Sequence, residues 1–125
     1  MDKIENTKLK RDTLVTRIVN GKPEYLVVNG VHPTGTILTS NIVTGEPTRL
    51  MRNQVQPFWI QIGDFIQDNR FVFRVGNFIC GSYNGEIQVL IEMVKIGATG
   101  DGEQVETPIS LADHFTLCDR NGRLL

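Results

Sequence analysis

Short apolar runs in strict alternation with polar positions dominate this chain, and they predict strands rather than helices. In Arg70-Phe71-Val72-Phe73-Arg74-Val75, one face carries Phe71, Phe73 and Val75 and the other carries Arg70 and Arg74. A period of two is the mark of a strand with one buried face. Ile87–Ile96 is the longest such run: Ile87, Val89, Ile91 and Met93 line one side, and Gln88, Leu90, Glu92 and Val94 the other. Apolar residues on both sides predict partial burial of both faces. Phe58, Ile60 and Ile62 alternate with Trp59 and Gln61, so Trp59 is expected off the main core face of a further strand. Thr13–Val19, Glu24–Val28, Thr36–Val43 and Thr48–Arg52 read as shorter strands, and the core is expected between Pro57 and Ile96.

The connections support this reading. Four Asn-Gly pairs punctuate the chain at Asn20-Gly21, Asn29-Gly30, Asn84-Gly85 and Asn121-Gly122. Asn-Gly suits the two positive-φ positions of a type I′ turn, whose twist matches the strands it joins. Thr44-Gly45-Glu46-Pro47 predicts another hairpin, and Val31-His32-Pro33-Thr34-Gly35 a loop or bulged edge. Gly97–Thr107, rich in Gly and acid, predicts one long, flexible loop. Ser110-Leu111-Ala112-Asp113 has the spacing of a helix N-cap box, which predicts one short turn through Phe115. Thr116–Cys118 and Arg123–Leu125 complete a last small hairpin. The expectation is a mainly β fold: a single small antiparallel β-barrel or sandwich with short hairpins and at most one short helical turn. Residues 1–12 form a charged N-terminal arm and 13–125 a single β domain.

Composition narrows the functional classes. With 13 Lys and Arg against 14 Asp and Glu the net charge is −1, so no overall basic footprint for nucleic acid exists, although a local basic face can. The first residues hold no apolar segment of the signal-peptide kind, and no apolar run approaches the roughly 18–20 residues of a membrane span. Cys80 and Cys118 both lie in apolar stretches, which predicts reduced, buried thiols and a reducing cytoplasm.

No catalytic constellation emerges. His32 and His114 are the only imidazoles. His114 precedes Cys118 by four residues with Asp113 and Asp119 nearby, but a helical turn ending at Phe115 would not bring the thiol and imidazole together. The cysteine also lacks the helix N-terminus that lowers a thiol pKa. His32 has no cluster of further ligands for a metal. The glycines from Gly97 to Gly102 lack the Lys-Ser/Thr of a P-loop, Glu103 and Glu106 would repel phosphate, and the spacing does not fit an EF-hand. Catalytic, cofactor and metal sites are therefore expected to be absent.

The leading expectation is a non-enzymatic structural, assembly or protein–protein interaction module, for example a subunit of a viral particle. It would bind a protein partner or copies of itself through an interface of Trp59, Gln61, Arg70 and Arg74. The alternative is an OB- or SH3-like module for single-stranded nucleic acid, with Arg49, Arg52, Arg70, Arg74, Lys8, Lys10 and Arg11 on phosphates.

Overall fold

The computed structural model describes residues 9–97 and 100–125, which form two compact units, one ending at Trp59 and the other beginning at Ile60. Both are built on antiparallel β-sheets, so the expected fold class is met. Most of the charged arm, residues 1–8, lies outside the described residues.

The first unit holds β1 (Leu14–Val19), β2 (Lys22–Val31), β3 (Thr36–Asn41), β4 (Pro47–Met51) and β5 (Gln56–Pro57). They form one five-stranded sheet in the order β4-β3-β2-β1-β5. Asn20 and Gly21 have φ of 52° and 77°, the two positive values of a type I′ turn, and Val19 pairs with Lys22 across it. Val15, Leu26, Val28, Ile37, Leu50 and Val55 make the buried cluster, with Leu9 packed against it. Thr39 is buried among them because its hydroxyl donates to the Thr48 carbonyl at 2.9 Å.

Asn29-Gly30 is not a turn. It lies inside β2, where the register with β3 shifts between Val28 and Gly30, and neither residue has positive φ. Asn29 is the extra residue of a β-bulge, its amide donating to the Ser40 hydroxyl at 2.6 Å. The strand expected through Trp59 and Gln61 also fails. β5 stops at Pro57, and beyond it Gly63 takes φ of 93° while the Asp64 carboxylate accepts the Gln61 N–H at 2.8 Å. A local carboxylate–backbone bond has displaced the ladder that the alternation implied.

The second unit holds β6 (Phe65–Gln67), β7 (Val72–Tyr83), β8 (Glu86–Gly97), β9 (Gly100–Pro108) and β10 (Thr116–Cys118), in the order β10-β6-β7-β8-β9. β7 and β8 form a hairpin of two 12-residue strands. A bulge between Val75 and Asn77 shifts its register, so that Phe78 rather than Asn77 continues the buried face of Phe73 and Val75. Val89, Leu90, Ile91 and Met93 are all buried, which confirms burial on both faces of β8.

Three expectations need correction in this unit. The acidic segment is not a loop from Gly100 to Thr107: β9 pairs with β8, placing Val105 opposite Met93, while residues 98 and 99 lie outside the described residues. The open edge of β8 imposes a strand on residues of poor strand propensity. The turn at Ile109–His114 is a 3-10 segment capped by Pro108, with no side-chain cap bond and with Ser110 inside it. Cys80 is exposed, because β7 runs on past Phe78, its last buried residue; Cys118 alone is a buried thiol. The final hairpin forms as expected, with Cys118 bridged to Leu124.

Candidate functional site

The distal half of the β7–β8 hairpin reaches beyond the core. Asn84 and Gly85, with φ of 52° and 82°, close it in a type I′ turn, and Tyr83 pairs with Glu86 across the tip. On this stretch Ile87 is 65% exposed and Tyr83 39% exposed. A 12-residue strand pair cannot bury its far end against a core that stops near Phe78 and Val89. Beside the tip, Tyr83, Glu86, Gln88, Pro108, Ser110 and Leu111 line an open cleft of about 300 Å³. The cleft is walled by the hairpin on one side and the 3-10 turn on the other. It offers apolar surface from Tyr83, Pro108 and Leu111 with a carboxylate at the margin.

The β1–β2 hairpin of the first unit has the same design. Arg17 donates to the Glu24 carboxylate at 2.8 Å, and beyond this pair Ile18 stands 69% exposed next to the Asn20-Gly21 tip. Isolated exposed apolar residues are ordinary; their position at the end of projecting hairpins is what distinguishes these.

The residues nominated from sequence are dispersed. Trp59 is half-buried and packs on Phe58, ring centroids 6.0 Å apart, in the first unit. Gln61, Arg70 and Arg74 belong to the second, where both arginines are exposed. Arg70 stands in the bend before β7, its guanidinium 5.3 Å from the Phe71 ring centre; Arg74 is on β7 opposite Val94. Phe71 is not a core residue as expected but lies 38% exposed at the rim, with the Lys95 ammonium 3.6 Å from its centroid. A ring held by cations in this way has its π-face engaged already, which disfavours stacking of a nucleobase there. Of the residues named for nucleic acid, Arg49, Lys10 and Arg11 are exposed in the first unit, while Arg52 donates to the Val55 carbonyl at 3.2 Å. Lys8 is outside the described residues.

The surroundings of Cys118 disfavour the thiolate that a nucleophile needs. Burial pushes its thiol above the ordinary value, and the neighbouring Asp119 carboxylate adds to the rise. His32 is exposed, and its Nδ1 bonds within its own turn to Thr34 at 2.8 Å. Among the described residues no group of His, Cys, Asp and Glu could hold a metal ion, and no helix is long and apolar enough to cross a membrane.

Sequence reasoning missed Ile87, Tyr83 and Ile18 as surface features, reading Ile87 as one more core position. The signal that could have found them is the turn itself. Residues within three places of an Asn-Gly tip are the last to reach a core. Comparison with known protein families, with curated proteins and with solved structures finds no match to this chain.

Proposed function

We propose that this chain is a non-enzymatic assembly module, a β scaffold that holds another protein chain by surface complementarity. The observation that carries the reading is the apolar end of the β7–β8 hairpin, where Ile87 stands in solvent on one face and Tyr83 on the other, beside a cleft of mixed apolar and polar lining. Burying such side chains against a partner contributes roughly 25 cal/mol per Å² of apolar surface removed from water, before the costs of association. A rigid type I′ tip loses little entropy on docking, so more of that gain survives as affinity. Two unbridged cysteines suit a reducing cytoplasm, where we place the protein, with incorporation into a larger particle as its role.

Native mass measured across protein concentration, with and without a single-stranded oligonucleotide, tests the reading. A protein complex indifferent to oligonucleotide supports it. A salt-sensitive shift on adding oligonucleotide overturns it in favour of nucleic-acid binding.

A further inference from the structure

Both sheets end in a strand bonded on one side only. Among the described residues, β4 pairs with β3 and has no further strand neighbour, and β9 pairs with β8 and likewise ends its sheet. Each therefore leaves backbone groups open to another strand, β4 fewer of them, since Pro47 has no N–H and the Met51 N–H donates to Gln54 Oε1 at 2.7 Å. The two edges carry opposite charge. From Pro47 to Gln54 the chain holds Arg49 and Arg52 and no carboxylate, whereas β9 presents Glu103 and Glu106 and no cation. Arg49 is exposed, and no carboxylate pairs with it among the described residues.

Building on the assembly reading, we propose that copies of this chain associate head to tail, β4 of one copy adding to β9 of the next. Like charge opposes either edge pairing with itself: β9 would bring Glu103 and Glu106 against the same carboxylates of a second copy, and β4 would bring Arg49 against a second Arg49. Pairing of unlike edges instead sets Arg49 among the carboxylates of β9. It also relieves a conflict inside the sheet, because Glu106 already stands opposite Glu92 and no cation among the described residues bridges them. Such a contact uses two different surfaces, so it builds a ring or a filament rather than a two-fold dimer.

Charge reversal tests this. Arg49→Glu makes both edges acidic, and Glu106→Arg sets a cation on β9 against the Arg49 of β4. Each variant alone should associate about tenfold or more weakly than the native chain. Mixed in equal amounts they should recover assembly as an alternating copolymer, since each edge then meets its opposite. Sedimentation reads the mass, circular dichroism checks that each variant is folded, and the milder Glu106→Gln serves if the reversal disturbs the sheet. Single variants that assemble as the native chain does overturn the edge contact while leaving the assembly reading intact. So does a mixture that fails to recover. A native chain that is monomeric at every concentration overturns the edge contact alone, because a different protein can still occupy the hairpin end. Oligonucleotide binding in place of either overturns the assembly reading itself.

Discussion

Glu92 on β8 and Glu106 on β9 stand directly opposite one another in the antiparallel ladder, two carboxylates on the same face of one sheet. Like charges so placed destabilise a strand pair by roughly 0.2–1 kcal/mol. Glu106→Gln should therefore raise stability by a few tenths of a kcal/mol in low salt, read as a higher urea midpoint. The gain should shrink as salt screens the repulsion. An unchanged midpoint at low salt would mean that the two side chains splay far enough apart to ignore each other. The same substitution should weaken self-association, so folding and assembly respond to it in opposite directions.

Gly85→Ala should cost about 1 kcal/mol or more, because its φ of 82° belongs to the left-handed region that a β-carbon disfavours. Gly30→Ala should be neutral or mildly stabilising: its φ is ordinary and an added methyl meets nothing within 4 Å. Thermal melts of the two variants check the contrast, and equal losses would show that the bulge at Asn29 demands glycine after all.

That contrast also measures what the sequence could reveal. Asn20-Gly21 and Asn84-Gly85 are local devices, since their turn chemistry is complete within a few residues and needs no partner. Asn29-Gly30 carries the same dipeptide, yet the pairing of Val28 and Gly30 with β3 holds it extended within a long strand. β9 was illegible for the same reason: nothing in Gly102-Glu103-Gln104 favours a strand, and the pairing comes from β8. The exposed hairpin ends were hidden differently. Alternation assigns Ile87 to a face, but it cannot say where along that face the core stops.

The two thiols should separate cleanly. Cys80 is exposed and should react quickly with a thiol reagent in the native protein, while Cys118 should react only as the protein opens. Cys118→Ser should destabilise more than Cys80→Ser, since only Cys118 leaves a hydroxyl in an apolar site. The raised Cys118 pKa also sets a pH dependence. Folding holds the thiol proton more tightly than the unfolded chain does, so this contribution is complete below the ordinary value near 9.0 and is lost as pH rises above it. Denaturation from pH 8 to 10 should show the decline, and Cys118→Ala should remove it.

Asp68 should govern part of the acid limb. Desolvation pushes its carboxyl up, but N–H donation from Phe71 and Arg70, with the Arg70 charge, outweighs this and holds the pKa below the usual 3.8. Both of those backbone groups donate to its Oδ1 at 2.9 Å, fixing the bend that starts β7. A lowered carboxyl pKa gives stability that is present above the ordinary value and is lost as pH falls through the folded one. Asp68→Asn keeps an acceptor while removing the charge, so it should flatten stability below about pH 4 with little loss at neutrality. Asp68→Ala should cost about 1 kcal/mol at pH 7, because two N–H groups lose their partner. Identical acid profiles for the native chain and the Asn variant would assign the acid limb to other groups.

Ile87→Asp separates a docking surface from an idle hairpin. With 65% of the residue already in solvent, the substitution should leave the urea midpoint within about 0.5 kcal/mol of the native value. If the hairpin end seats on another chain, the same change buries a charge in that contact and should weaken association by more than about 1–2 kcal/mol. Trp59→Ala should lower both stability and association, since Trp59 packs on Phe58 as well as facing solvent in part. Reversal of Arg70 and Arg74 should alter chiefly the salt dependence of binding, as rim charges do. Isothermal titration or sedimentation of the four proteins ranks these effects. A silent Ile87→Asp, together with an arginine reversal that abolishes oligonucleotide binding, would move the function from the hairpin end to the arginines.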